Sequence, residues 1–223
     1  MTKKPSDIPD DWRAPLLVAA LPHVPFDGWS DQTLTRAAEE IGLNPGIAKL
    51  AFPSGAIDMI DLMAQQRDQM MVEACPPEKL AQMKIREKIT FLVRTRIEAE
   101  DPLRDAARAA VAYLALPTHS AQGLKMMYRT VDLMWKTTGD PSTDFNYYTK
   151  RLTLSGVYST TLLYWLNDDS ADRQDTWAFL DRRIENVIQF EKGKARARKL
   201  SERLPDITSS FWKNVSRLRY PAR

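Results

Sequence analysis

GWSDQTLTRAAEEIGLNPGIAKLAF, residues 28–52, carries the clearest architectural signal in the chain. Ser30 is a suitable N-cap for a helix over residues 31–41, because its hydroxyl can accept a hydrogen bond from the first helical turn. Gly42 follows that helix, at a point where a tight turn needs a positive φ. A second short helix is predicted over residues 44–52, and together the two helices resemble the two arms of a helix-turn-helix.

An earlier helix over residues 11–24 extends this pattern to a three-helix, helix-turn-helix-like unit over residues 1–53. Helical periodicity recurs through the rest of the chain, and no window shows the alternation of a half-buried strand. The sequence therefore predicts an all-α protein of about ten helices. In this organisation residues 54–192 form a helical bundle behind the N-terminal unit.

The net charge of +3 hides a strong asymmetry along the chain. Residues 192–223 contain ten basic residues and two acids, a net charge of +8, whereas residues 1–70 contain six basic residues and ten acids, a net charge of −4. The helix-turn-helix-like unit resembles the DNA-binding domain of the TetR family. Its reading helix, however, offers only Lys49 as a cation, and binding to DNA depends on Lys and Arg displacing counterions. We therefore expect no nucleic-acid partner and a unit that keeps the TetR-like shape alone.

The segment from Met126 to Tyr158, MMYRTVDLMWKTTGDPSTDFNYYTKRLTLSGVY, combines aromatic side chains, methionines and a predicted turn. The string Ser-Thr-Asp-Phe-Asn-Tyr-Tyr-Thr-Lys-Arg, residues 142–151, is its most specific part. With Tyr-Ser-Thr-Thr at 158–161 and Asp-Thr-Trp-Ala-Phe-Leu-Asp-Arg-Arg at 175–183, the chain resembles the coenzyme Q biosynthesis accessory proteins, the Coq-nine family. The resemblance covers most of residues 12–190.

The resemblance implies a TetR-like fold without DNA binding, a buried pocket for an isoprenoid lipid or quinone intermediate, and a homodimer. It also implies an exposed patch that docks a hydroxylase of the ubiquinone pathway. The patch centres on the aromatic pair Tyr147 and Tyr148, with Met134 or Trp135 contributed by the preceding helix. Taken from the residues alone, such aromatic and methionine clusters are found both at interfaces and in packed cores.

A set of apolar residues spread over four helices is predicted to line the lipid pocket, since an isoprenoid tail needs a dry, elongated, apolar cavity. The same residues could equally fill an ordinary bundle core. The set is Met59, Met63, Ile89, Leu92, Val111, Leu114, Leu152 and Leu162.

The last eighteen residues, DITSSFWKNVSRLRYPAR over 206–223, predict a basic amphipathic helix that binds an anionic membrane surface. One helical face carries the apolar residues and the other carries the cations, and residues 193–205 read as a basic linker. Docking of this helix on the protein itself is the alternative. The residues predicted to bind the membrane are Ile207, Phe211, Trp212, Val215, Leu218, Lys213 and Arg217.

The chain shows no phosphate loop, nucleophile elbow or metal-binding cluster, and its two histidines are far apart. We therefore expect a non-catalytic protein without cofactor or metal. The single cysteine, Cys75, fits a reducing compartment. A cytoplasmic location on the inner face of the bacterial inner membrane is expected, or the matrix side of a mitochondrion. A TetR-type regulator that senses a ligand, and an enzyme of unrecognised class, are the alternatives.

Overall fold

The structure, a computed structural model, describes residues 9–141 and 145–203. Within these ranges the chain forms α-helices and short 3₁₀ turns without any β-strand, which confirms the all-α prediction. The bounds of the α-helices, in chain order, are α1 Arg13–Ala20, α2 Val24–Asp27, α3 Asp31–Glu40, α4 Pro45–Ala51, α5 Ala56–Ala74, α6 Pro77–Ala81, α7 Ile85–Glu98, α8 Arg104–Leu114, α9 Ser120–Thr137, α10 Phe145–Trp165 and α11 Gln174–Arg203.

The N-terminal unit consists of α1 to α4, with a turn between α3 and α4 as predicted. The hydroxyl of Ser30 accepts from the backbone nitrogen of Thr33 at 3.2 Å and caps α3. Gly42 has φ +67°, the left-handed conformation that ends a helix and reverses the chain. Leu16 and Leu17 of α1 are fully buried in the same hydrophobic core as Met59 of α5, so the unit packs directly on the bundle.

The surface of α4 offers little to a nucleic acid. Its buried side consists of Ala48 and Ala51, and its exposed residues include Lys49 and Leu50. A single cation beside an exposed leucine provides neither the charge nor the long polar donors that a DNA-reading helix needs.

Helices α5, α7, α8, α9 and α10 form the bundle. Each buries one stripe of side chains at helical spacing. Helix α9 shows this most clearly, with Met126, Thr130, Val131 and Met134 buried at intervals of four, one and three residues. None of the described helices is both long enough and apolar enough to cross a membrane.

The chain divides into two compact units, with the boundary between Asp181 and Arg182. Helix α11 continues through Gly193 to Arg203, so the segment predicted as a linker is helical over residues 193–203. Alanine, lysine, arginine, leucine and glutamate dominate this stretch and all favour a helix, and one glycine is tolerated at a cost of about 1 kcal/mol.

Candidate functional site

A cavity of about 390 Å³ lies within the bundle, between α5, α7, α8, α9 and α10. Ligand pockets for small molecules typically have volumes of about 300–1,000 Å³. Space of this size inside a helix bundle is unusual, because protein interiors are normally close-packed with few voids larger than a water molecule. The cavity is therefore the main candidate for a binding site.

Small residues create the space. The cavity wall includes Ala64 of α5, Ala107 and Ala110 of α8, and Gly123 of α9. The alanines leave volume that no side chain occupies. At Gly123, by contrast, α8 and α9 come close, since an added Cβ would lie 3.1 Å from the Cβ of Leu114. The remaining wall is largely aliphatic or methionine, so the cavity suits an apolar ligand of irregular shape.

Two leucines that line the cavity also face solvent and mark its mouth. Leu124 of α9 is 61% exposed and Leu163 of α10 is 50% exposed. Eight other lining residues are at least 95% buried and mark the closed end. Four of them are polar, namely Arg96, Glu100, Thr130 and Tyr158, and four are apolar, namely Ile60, Met63, Ala107 and Ala110. The cavity thus has two exposed leucines at its mouth and a polar cluster beside apolar residues at its closed end.

Four of the eight residues predicted to bind lipid line this cavity, namely Met63, Val111, Leu114 and Leu162. The other four do not. Met59 belongs to the hydrophobic core against the N-terminal unit, and Ile89 and Leu92 are buried elsewhere on α7. Leu152 is 77% exposed on the outer side of α10, because that helix carries leucines on both its inner and outer faces.

The closed end is built on a buried ion network. Arg96 of α7 donates from Nε to Oδ1 of Asp68 on α5 at 2.7 Å, and from NH1 to Oε1 of Glu100 at 2.6 Å. The hydroxyl of Thr130 on α9 donates to the same Asp68 carboxylate, 2.9 Å from Oδ1 and 3.0 Å from Oδ2. Buried charges are tolerated when they are paired and hydrogen-bonded in this manner. The network ties α5, α7 and α9 together beneath the cavity.

The protonation states of the closed end follow from these neighbours. Burial raises the pKa of the Tyr158 hydroxyl to about 12, with the charges of Glu100 and Asp68 adding to the effect and Arg96 opposing it. Burial alone would lower the pKa of the Arg96 guanidinium, but Tyr158, Glu100 and Asp68 raise it above its ordinary value. At neutral pH the cavity therefore ends in a neutral phenol and a charged guanidinium.

The sequence interpretation missed this network, because its members lie on three separate helices and none belongs to a motif. One signal was available. Arg96 falls on the apolar stripe of α7, among Ile89, Leu92, Val93 and Ile97, and all five are buried. A charged residue at a core position of an amphipathic helix indicates a buried partner.

The aromatic pair predicted to bind a partner lies at the start of α10, next to a second set of charges. The Tyr147 hydroxyl donates to Oδ1 of Asp132 on α9 at 3.0 Å, and the Nε of Arg151 donates to the same oxygen at 2.6 Å. Lys136 also pairs with Asp132. Burial would raise the pKa of the Asp132 carboxyl, but the hydrogen bonds from Lys136, Arg151 and Tyr147 outweigh burial and lower the pKa. These bonds fix Tyr147 against α9.

The four predicted partner-binding residues differ in exposure. Tyr148 is 67% exposed, Trp135 and Tyr147 are half-buried, and Met134 is fully buried on the inner stripe of α9. Tyr148 meets the Tyr147 ring edge-on, with ring centroids 5.2 Å apart. The surface that this region presents therefore consists mainly of Tyr148 and the accessible part of Trp135. The residues predicted to bind the membrane, at positions 207–218, lie outside the described residues.

Residues 120–191 match the COQ9 family model. The chain is 33% identical over 181 residues to the protein named ubiquinone biosynthesis protein COQ9, mitochondrial, of Rattus norvegicus, an alignment covering 78% of this chain and 58% of the rat protein. The protein of the same name from Homo sapiens is 31% identical, with 78% of this chain and 57% of the human protein covered. The protein of the same name from Drosophila melanogaster is 32% identical over 186 residues, with 82% of this chain and 57% of the fly protein covered.

The chain spans less than two thirds of the length of each of these relatives. Among solved structures, a TetR transcriptional regulator from Nitrosomonas europaea superposes with a TM-score of 0.66 at 17% identity, covering 81% of this chain and 99% of the regulator. This likeness confirms the TetR-like fold. The sequence matches confirm the resemblance on which the family prediction rested.

Proposed function

Because this chain carries a COQ9 domain and is related to COQ9 proteins over most of its length, we propose that it is a non-catalytic lipid-binding accessory protein of ubiquinone biosynthesis. In this proposal the protein takes a polyprenylated quinone intermediate from a membrane surface and presents the ring to a hydroxylase. The chemical step belongs to the hydroxylase.

The observation that carries the proposal is the amphiphilic cavity. A polyprenylated ring has a long apolar chain at one end and polar oxygen atoms at the other. The cavity has exposed leucines at its mouth and, at its closed end, a polar cluster beside apolar residues. Its 390 Å³ correspond to roughly thirteen water-sized volumes of about 30 Å³ each. That is room for a ring and a short stretch of isoprenoid chain, so a long tail would extend past Leu124 and Leu163 to the outside.

A tail that leaves the cavity needs an apolar surrounding, which a membrane supplies. The basic segment of residues 192–223, with its net charge of +8, supports attachment to anionic lipid, since each Lys or Arg near such a surface contributes about 1 kcal/mol. We place residues 206–223 in this role. Attachment of this kind is peripheral, on the inner face of the inner membrane if this protein is bacterial and on the matrix side if it is mitochondrial.

The hydroxylase would dock at the start of α10. Exposed aromatic side chains are enriched in the central contacts of protein interfaces, and Tyr148 is a large aromatic residue held outward by a fixed neighbour, Tyr147. Trp135 lies one turn before the end of α9 and extends the same region.

We also propose that the protein forms a homodimer through the outer face of α10. Leu152 and Tyr164 are exposed on this helix and do not line the cavity, and large exposed apolar side chains on one helix are typical of an interaction surface. Light scattering of the purified chain measures the mass in solution, and a monomer at micromolar concentration contradicts this part of the proposal.

The decisive experiment identifies the lipid that accompanies the full chain through gentle purification, by native mass spectrometry followed by extraction. The blocking variant is Ala110→Phe, which places a ring inside the cavity. Its matched control is Ala112→Phe, the same change two residues along α8 at an exposed position. We expect a prenylated ring compound on the unaltered chain and on Ala112→Phe, and a loss of about tenfold or more on Ala110→Phe. A chain that carries no such lipid, and that takes up none from vesicles, contradicts the proposal.

A further inference from the structure

Glu100 places an unsatisfied carboxylate oxygen at the closed end of the cavity. The residue is 5% exposed and forms part of the cavity wall. Its Oε1 accepts from Arg96, whereas its Oε2 is buried without a hydrogen-bond donor among the described residues. Oε2 lies 3.8 Å from the Nε of Arg67, which exceeds hydrogen-bonding distance, and that Nε is likewise buried without a hydrogen-bond partner among the described residues.

A second polar group lies at the same end. Tyr158 is buried, lines the cavity and interacts electrostatically with Arg96, Glu100 and Asp68. Its hydroxyl is not engaged in a hydrogen bond with any described residue. Because its pKa is raised to about 12, this hydroxyl is a donor at neutral pH.

Buried polar atoms in folded proteins nearly always have partners, and one that lacks a partner needs an explanation. The cavity wall around Glu100 and Tyr158 is apolar apart from Arg96, Thr130 and two serines. Arg96 and Thr130 are already committed to Asp68 and Glu100. The closed end thus offers one strong acceptor and one donor to whatever enters the cavity.

We infer that the closed end recognises the head group of the lipid, and that this head group is a prenylated ring with a free hydroxyl that donates a hydrogen bond to Oε2 of Glu100. The Tyr158 hydroxyl donates in turn to a second oxygen on the ring. The inference rests on the proposed function and deepens it, because it names the chemistry that the site selects. A phenol or hydroquinone is favoured over its methyl ether, which has no hydrogen to donate.

The preference for a phenol over its methyl ether follows from the strength of one hydrogen bond to a charged group. Hydrogen bonds to charged groups are stronger than those between neutral groups, and leaving the buried carboxylate oxygen without a donor forfeits that interaction. We expect a phenol to bind at least about tenfold more tightly than the matched ether. Apolar contacts along the chain are the same for the two lipids and cancel in the ratio.

The test measures dissociation constants of the full chain for 2-farnesyl-4-methoxyphenol, which has two ring oxygens, and for its methyl ether, which keeps both oxygens but has no hydroxyl. In Glu100→Gln the amide nitrogen can donate to the oxygen of either lipid, so we expect the preference for the phenol to fall to about twofold or less. Retained binding of the ether shows that the variant is folded. Tyr158→Phe keeps the ring and removes the hydroxyl, and should weaken both lipids, since both retain an oxygen that can accept. Asp61→Asn is the matched control, because Asp61 pairs with Arg129 on the same network but does not line the cavity.

The outcomes distinguish failure of the proposed lipid binding from failure of the proposed role of Glu100. If neither lipid binds the unaltered chain, the proposed function fails. If both bind with equal affinity, the proposed function stands and the role of Glu100 is refuted, with a water molecule as the partner of Oε2. A preference that persists unchanged in Glu100→Gln also refutes it. This comparison on the unaltered chain needs no variant, so the inference stays testable even if a substitution prevents folding.

Discussion

Replacing Asp68 with asparagine tests whether the buried ion network stabilises the bundle. Asp68 receives Arg96 Nε at 2.7 Å and the Thr130 hydroxyl at about 2.9–3.0 Å, and Arg129 Nε lies 3.6 Å from its Oδ2. Removing one charge from a buried pair costs about 3–5 kcal/mol, because the partner is left uncompensated. Asparagine keeps an acceptor for Thr130, and Arg96 keeps Glu100, so we expect the lower end, about 3 kcal/mol.

For a domain of 150–250 residues, about 1 kcal/mol corresponds to roughly 2–4 °C in Tm, so Asp68→Asn should lower Tm by roughly 6–12 °C. Urea denaturation gives the free energy of unfolding directly. The matched control is Glu98→Gln on α7, whose carboxylate receives Arg94 Nε at the same 2.7 Å, with side chains 41% and 48% exposed. An exposed pair of this kind contributes no more than about 0.5–1 kcal/mol. Equal losses of unfolding free energy in Asp68→Asn and Glu98→Gln would refute the claim that burial makes the Asp68 network more stabilising than an exposed ion pair.

Three further predictions concern other parts of the chain. Asp168 accepts from the backbone nitrogens of Ser170 and Thr176. Burial alone would raise the pKa of this carboxyl, but the hydrogen bonds from Thr176 and Ser170 outweigh it and hold the pKa well below its ordinary value. The contribution of Asp168 to the free energy of unfolding is therefore complete above about pH 4 and is lost as the pH falls further. Asp168→Asn should cost about 1–2 kcal/mol at pH 7, and the gap in unfolding free energy should narrow by pH 3, whereas a constant gap contradicts the assignment. Deleting residues 206–223 should weaken flotation with vesicles containing phosphatidylglycerol by about tenfold or more without changing the Tm of the body, and undiminished flotation would remove this segment from membrane binding. Tyr148→Ala should leave lipid loading unchanged and reduce the free energy of binding to the pathway hydroxylase by about 2 kcal/mol or more, seen as weaker co-purification. An unaltered complex would mean that the hydroxylase docks elsewhere.

Features set by neighbouring residues could be predicted from the sequence. The Ser30 cap and the Gly42 turn depend only on local backbone chemistry, and both are present as expected. Residues 77–98 form two helices, α6 and α7, although the apolar residues Leu80, Ile85 and Ile89 fit the periodicity of one long helix. Lys84 is the N-cap residue of α7, and its backbone nitrogen donates to the Glu87 carboxylate at 2.7 Å. The signal was a glutamate at the third helical position without a typical N-cap residue before it, and so it was easily overlooked.

The direction in which each apolar side chain points could not be predicted with the same success. Helix α10 buries Leu154 and Val157 while it exposes Leu152 and Leu163. A helix with apolar residues all round has no single inner face in its sequence, so the facing of Leu152 depends on neighbours that only the tertiary structure provides. The closed end of the cavity had the same difficulty, since Asp68, Arg96 and Thr130 meet only when three helices pack.

The free energy of unfolding of Ala110→Phe separates an empty cavity from a packed one. In a close-packed core an added ring forces its neighbours apart and costs about 1–3 kcal/mol or more. Beside a cavity of about 390 Å³, the ring instead finds room, and fully burying a phenylalanine side chain contributes up to about 1.5–3 kcal/mol. We therefore expect Ala110→Phe to match or exceed the stability of the unaltered apo protein while it retains less lipid. Filling a cavity is a common route to greater stability, and its recurrent cost is lost function where the site is used. Strong destabilisation by Ala110→Phe, with Ala112→Phe unaffected, would mean that α8 has no space beside it and would remove the physical basis for lipid binding at this site.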